Sequence, residues 1–433
     1  MRNLRLIEKT TSVMEAAVLR PLARTYERLT VSDAQAKVVR RLRKVVDSAY
    51  ATVPFYHDLY QRAGYEVGAL RTLDDIRSLP IITKDDLLAS SPESFVSGTV
   101  PRHRLLPSIT SGTTGQVLTV WHDGARLGRI ALSIARVTWL VAPYRPWDVT
   151  LYVYTSRFPV GSVGGLFPFR FVSTTAPIEE IAAAWRRIRP AIVWIYPSRL
   201  RDLEEEAPSL PAPRLISVNS EYSSAAERTR WEKLFRAPVR DQYATEELGI
   251  VAAECEARQR HVFSDSCFVE IVGSVGQRVA EGRLGRLVGT NLTNLASPVI
   301  RYDQGDKAAL VASGCECGRT LPVLEPLAGR ARLDFRTTKG EVVSSGVLID
   351  ALYGLILTLG LPIRAYQLAD GTPPELRLVA DRELTDDEIR LASSHLQRTT
   401  GLETKCRVLE AIPMSPGGKR EALLPLQDPL ARK

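Results

Sequence analysis

Valine, leucine and alanine at 38/39, 42, 45/46 and 49 recur every three to four positions, which places an amphipathic helix at residues 33–50. Further on the pattern shortens. Residues 151–154 read as a strand, 178–188 as a helix, and 191–196 as a strand that stops at Pro197. Residues 215–218 open another such unit, with a helix from about 224 to 235 and a short strand leading to Tyr243. Strand, helix and strand in alternation predict a parallel αβ sheet. Beyond residue 260 short strands with Gly-containing turns follow, at 268–272, 286–292, 299–303 and 307–311, an antiparallel, barrel-like or sandwich-like piece. From Arg364 the pattern changes again. Tyr366 and Leu368 lead into an Asp370-Gly371 turn, Leu376, Leu378 and Ala380 alternate, and Thr385 with Glu388 forms a capping box for a helix that stops near Gly401. A strand at 406–409 completes a small α+β unit. The fold class is α/β, with a large N-terminal domain of parallel αβ sheets plus a barrel-like β piece, and a small α+β C-terminal domain.

Length and composition narrow the class. At 433 residues, 45% hydrophobic and 24% charged, the chain is globular and long enough for two to three domains. The longest apolar stretch, near 351–363, is shorter than the ~20 residues of a membrane span, and charged residues interrupt the first thirty, so a cytoplasmic location without membrane contact is expected. The net charge of +8 comes from scattered residues, only ten of them lysines, and not from the clustered stripe of a nucleic-acid binder. Five cysteines, at 255, 267, 315, 317 and 406, suit metal ligation or burial better than bridging. Cys255, His261, Cys315 and Cys317 make a Cys₃His set fit for tetrahedral zinc in a structural role, with Cys267 in reserve; buried free thiols are the alternative.

The strongest local signal is Thr110-Ser111-Gly112-Thr113-Thr114-Gly115. Its glycines allow close backbone approach, and its hydroxyls and amides supply donors to phosphate oxygens, although the Walker spacing is absent. This hexapeptide resembles the nucleotide loop of the adenylate-forming enzymes, the acyl-CoA synthetases and their kin, and four further segments match that family in order. They are Tyr243-Ala244-Thr245-Glu246; Leu292-Thr293-Asn294 with Pro298-Val299-Ile300-Arg301-Tyr302 and Gly305-Asp306; Gly329-Arg330; and Pro416-Gly417-Gly418-Lys419. Val53-Pro54-Phe55-Tyr56, Leu79-Pro80 and Thr83-Lys84-Asp85-Asp86 are similar to the phenylacetate-CoA ligase branch. Gln116 stands where a lysine often follows the loop, and Ala331-Arg332-Leu333-Asp334 departs from the usual hinge.

The resemblance implies ATP-dependent activation of a carboxylic acid, aromatic or arylacetic, to an acyl-adenylate and its transfer to coenzyme A. Transfer to a carrier-protein thiol or an amine, or a nucleotide-binding non-catalytic homologue, are the alternatives. It implies a division into residues 1–329 and a mobile unit 330–433, with a homodimer expected. Lys419 is then the cation between carboxylate and α-phosphate. Thr245 gives a hydroxyl to phosphate, and Glu246 an oxygen ligand to Mg²⁺. Ser111 to Gly115 cradle the phosphates, Glu221 lies on the adenine side, Tyr243 faces the adenine, and Asp306 accepts from the ribose hydroxyls. Arg330 either assists at the ribose or holds a structural ion pair. Trp139, Tyr144, Tyr154 and Phe158 are candidate pocket aromatics.

Overall fold

In the computed structural model, which describes residues 25–109, 119–123, 126–145, 147–154, 168–312, 314–330, 335–343, 345–412 and 421–424, a long helix runs Val31–Thr52. Thr30 caps it by accepting the Asp33 amide, and Val38, Leu42, Val45, Val46 and Ala49 form its buried stripe. The helix Pro54–Arg62 follows directly, with proline in its first turn and Tyr56 and Tyr60 buried.

A ribbon of β1 (Leu106–Ile109) and β2 (Thr119–His122) precedes the main sheet. That sheet contains β3 (Thr150–Tyr154), β4 (Phe169–Ser173), β5 (Ile192–Ile195), β6 (Leu215–Val218), β7 (Val239–Thr245), β8 (Gly249–Glu254), β9 (Arg260–Val262), β10 (Cys267–Val272), β11 (Gly285–Asn291), β12 (Tyr302–Val311) and β13 (Val323–Arg330). Its order is β10-β11-β12-β13-β9-β8-β7-β6-β5-β3-β4. The pairs from β4 to β7 are parallel, and from β7 onward every pair is antiparallel. The strands expected as a barrel-like piece thus extend the same sheet by antiparallel pairing, because β9 and β13 pair through Val323 and His261.

Apolar side chains on both faces of the parallel half explain its continuous hydrophobic runs. On one face Val193, Ile195, Ile216 and Val218 pack on Trp185 of the helix Ile178–Ile188 and Trp231 of the helix Ala225–Phe235. On the other, Tyr152 and Trp194 meet Ile134 and Val137 of the helix Arg126–Trp139. The chain leaves β3 for β4 on one side, then returns through Ile178–Ile188 to β5 on the opposite side of β3. β3 and β5 therefore flank a topological switch point, the place at the strands' carboxyl ends where open α/β sheets bind ligands.

The antiparallel half is fastened to the N-terminal segment by Arg301. Its guanidinium makes a bidentate pair with Glu270 at 3.0 and 2.9 Å and donates to the carbonyls of Arg77, at 3.3 Å, and Leu79. Both side chains are buried, at 3% and 6% exposure. Removing one partner leaves the other charge uncompensated, so Arg301→Ala is expected to cost about 3–5 kcal/mol. A urea midpoint within experimental error of wild type would contradict that role.

The C-terminal residues build a second sheet of β16 (Ile363–Ala369), β17 (Glu375–Ala380), β18 (Lys405–Val408) and β19 (Leu423–Leu424), ordered β18-β17-β16-β19; a short pair, β14 (Phe335–Arg336) and β15 (Val342–Val343), lies before it. The capping box of Thr385 and Glu388 opens the helix Asp386–Thr400, and Gly401, at φ +73°, closes it. Leu352 of the helix Ser345–Leu357 joins Leu368, Leu376, Leu378 and Leu396 in one core. Tyr222 packs against that core, and the Arg201 guanidinium lies over the rings of both Trp231, 5.7 Å away, and Tyr366, 5.5 Å away. Among the described residues no helix is long and apolar enough to cross a membrane.

Candidate active site

β7 ends in Thr245, and Gly249, at φ +77°, turns the chain into β8. The Thr245 hydroxyl accepts the Leu248 amide at 3.1 Å, which pins the turn. A register shift after Tyr243 leaves Val251 unopposed, a bulge that re-aims the end of the strand. Just beyond it, Glu246 accepts a hydrogen bond from the hydroxyl of Ser108 on β1. The β1-β2 ribbon is held from its other side by Asn294, whose amide donates to the Trp121 carbonyl at 2.8 Å. Ser111, Gly112, Thr113, Thr114 and Gly115 lie outside the described residues, but their flanks, Ile109 and Thr119, are partners in the ladder. The ribbon that carries the hexapeptide is thus docked at Glu246.

From β12, Asp306 accepts a 2.5 Å hydrogen bond from the Tyr243 phenol. Tyr243 is half-buried against the core beneath β8 and β12, and Asp306 faces Arg330 across the β12-β13 ladder. Glu221 is held differently. Both its oxygens are engaged by Ser198, accepting the amide at 2.8 Å and the hydroxyl at 2.9 Å, so the carboxylate caps the helix Pro197–Asp202. Lys419 lies outside the described residues, as does Phe158.

Tyr154, at the end of β3, stacks on Tyr152 with centroids 4.7 Å apart and meets Tyr196 edge-on at 4.8 Å. Burial raises its phenol, and the negative charge of Glu246 adds to that shift. Tyr144 is buried instead in the core with Tyr152 and Trp194, and Trp139 ends its helix with its carbonyl accepting from Arg319. Ser108, Tyr152, Tyr196 and Ser198 were not anticipated from sequence. Ser108 lies two residues before the hexapeptide, and proximity to that motif was the one signal for it.

A separate cluster brings together Cys255, His261, Cys315 and Cys317, with all four donor atoms within 4.8 Å of one another. The Cys255 and Cys315 sulfurs are 3.6 Å apart, and Cys317 Sγ lies 3.2 Å from His261 Nε2. A tetrahedral zinc with bonds of about 2.3 Å to sulfur sets edges of about 3.8 Å, so the spacing fits such an ion. His261 Nδ1 lies 3.2 Å from the Leu321 carbonyl, an outer contact that leaves Nε2 to face the sulfurs. Cys267 packs elsewhere, in the core with Val269 and Ile300, and burial pushes its thiol up to about 12. It is not a reserve ligand in this arrangement.

No family model matches the chain. It is 28% identical over 372 residues to the phenylacetate-coenzyme A ligase of Thermus thermophilus, covering 81% of this chain and 79% of that one. It is also 28% identical over 324 residues to the Escherichia coli phenylacetate-coenzyme A ligase, covering 70% and 73%. Among solved structures, 2-hydroxyisobutyryl-CoA ligase in its postadenylation state superposes with a TM-score of 0.78 at 21% identity, covering 94% of this chain and 92% of that one. The same enzyme in its thioesterification state gives 0.64 at 22% identity, covering 92% and 91%. The chain is similar in sequence to the phenylacetate-CoA ligases and has the fold of the adenylate-forming CoA ligases.

Proposed function

We propose that this protein activates a carboxylic acid, aromatic or arylacetic, with ATP and transfers the acyl group to coenzyme A. The observation that carries the reading is the Tyr243–Asp306 contact, which unites two distant motifs beside Thr245 and Glu246, where Ser108 also docks the ribbon bearing the hexapeptide. In the first half-reaction a carboxylate oxygen attacks the α-phosphorus and the bond to pyrophosphate breaks. In the second, the coenzyme A sulfur attacks the acyl carbon, AMP leaves, and the thiol proton passes to solvent.

Attack of one anion on another needs fixed positive or hydrogen-bonding groups at the α-phosphate. Thr245 and the hexapeptide supply hydroxyls and amides there, and Lys419 supplies the charge. Tyr243 presents a flat surface to adenine, while Asp306 takes the ribose hydroxyls, with Arg330 beside it in the ladder. Glu246 would hold Mg²⁺, a hard ion suited to carboxylate oxygen that would offset phosphate charge when bound. The rest of the chain from residue 330 moves between the half-reactions as the carrier of Lys419. The deciding experiment is pyrophosphate release from ATP across a panel of carboxylic acids, with hydroxylamine trapping the adenylate. Measurable ATP binding without pyrophosphate release on any acid would overturn this function.

The Cys₃His cluster would hold a structural zinc that ties the β8-β9 turn to residues 315–317. Protein purified without chelator is expected to contain about one zinc per chain by elemental analysis. Cys317→Ser should lose the metal and lower the melting temperature. Zinc-free protein with wild-type stability would remove the site.

A further inference from the structure

Two asparagines on one short stretch reach opposite walls of the candidate site. β11 ends in Asn291, and Asn294 follows in the next turn of chain. Both are buried, at 5% and 1% exposure. The Asn291 side-chain amide donates to the Glu247 carbonyl at 3.2 Å, just past Thr245 and Glu246. The Asn294 side-chain amide donates to the Trp121 carbonyl on β2 at 2.8 Å and to the Ser297 carbonyl at 2.9 Å. The pair is joined internally, because Asn291 Oδ1 accepts the backbone amides of Thr293 at 2.9 Å and Asn294 at 3.0 Å.

With the Ser108–Glu246 hydrogen bond these contacts close a ring. It runs from Glu246 to Ser108 on β1, across the ladder to Trp121 on β2, on to Asn294 and Asn291, and back through Glu247. β1 and β2 form a two-stranded sheet of their own, so no backbone ladder seats them on the main sheet. An isolated ribbon of two strands has little stability alone, and side-chain links must fix its position. The turn is seated on the same strand as Asn291 by a second contact. Leu248 fills the space over Gly289 of β11, where an added Cβ would lie 2.1 Å from its Cδ1. Asn294 Oδ1 is engaged as well, accepting the Ala296 and Ser297 amides at 3.3 and 3.4 Å, so the whole side chain is paired.

Resting on the acid-activation reading, we infer that Asn294, with Asn291, is a positioning residue that sets the ribbon bearing the hexapeptide against the turn bearing Thr245 and Glu246. The groups that grip the phosphates come from these two separate segments, and a shift of about 1 Å between them can cost about 10²-fold in rate. Tyr243 and Asp306, which take the nucleoside, stand on β7 and β12 of the main sheet and are tied to each other directly. Loosening the ribbon therefore weakens the hold on phosphate and leaves the hold on adenosine.

The test measures equilibrium binding of ATP and of adenosine, pyrophosphate release, and thioester formation from a preformed acyl-adenylate, in wild type, Asn294→Ala, Ser108→Ala and the double variant. Asn294→Ala is expected to lower kcat/KM for ATP by about 10- to 100-fold and to weaken ATP binding, with adenosine binding and thioester formation within about twofold of wild type. Ser108→Ala deletes a single oxygen and should give the same pattern more mildly; it decides the matter if Asn294→Ala does not fold. Once either link is cut the ring is open, so the double variant should lose less than the product of the single losses. Losses that multiply independently, equal weakening of ATP and adenosine, or wild-type constants for ATP would each overturn the inference. Wild type that releases pyrophosphate with no acid would remove acid activation, while the comparison of ATP with adenosine would still decide the role of Asn294.

Discussion

Lys419→Ala is expected to lower acyl-adenylate formation by about 10²–10⁴-fold while thioester formation from a preformed acyl-adenylate continues near the wild-type rate. The asymmetry follows from charge. Before adenylation, a carboxylate and an α-phosphate must be brought together, and a point cation between them acts on a transition state more negative than either partner alone. After adenylation that repulsion has been relieved, and the incoming sulfur attacks a neutral carbonyl carbon. Quenched-flow measurement of each half-reaction separates the two. Equal losses in both would argue that the lysine stabilises the fold or binds nucleotide generally, and would remove the case for a moving C-terminal unit.

Asp306→Ala is expected to lower kcat/KM for ATP by about 10- to 100-fold, the equivalent of one or two hydrogen bonds to a charged group. Asp306 is 9% exposed and accepts the Tyr243 phenol at 2.5 Å, so its loss also removes that hydrogen bond. Asp306→Asn keeps an acceptor for Tyr243 and should recover part of the loss. 2′-Deoxy-ATP supplies the control, because a ribose role predicts that it is penalised in wild type and much less in the alanine variant. An alanine variant with unchanged ATP dependence would place the nucleotide elsewhere.

How much of this could be read before the fold was known depends on the range of each interaction. The helix Ile178–Ile188 and the capping box that opens Asp386–Thr400 are legible because their determinants lie within a few residues of one another. The single sheet is not, because the β9-β13 pairing joins segments some sixty residues apart, and short alternating strands carry no label for their partners. The same reason hid Ser108, whose link to Glu246 spans 138 positions. Glu221 shows a second kind of loss. Its place in the motif order could be read, whereas its engagement with Ser198 could not, since the cap is defined by where the helix Pro197–Asp202 begins in space. The Cys₃His group was visible as residue types at suggestive spacing, and only the folded chain closes the distance between Cys255 and Cys315.

Arg201 has a consequence for the handling of the C-terminal sheet. Its guanidinium is anchored on the N-terminal side by Glu227 at 2.5 Å and by the Trp231 ring, and it also lies over the ring of Tyr366 of β16. Swinging that sheet away would wet an aromatic surface and a cation's flank in one stroke, at a cost of about 1–2 kcal/mol for the cation–π contact alone. The contact therefore acts as a detent, a shallow well that holds the present docking of the C-terminal sheet.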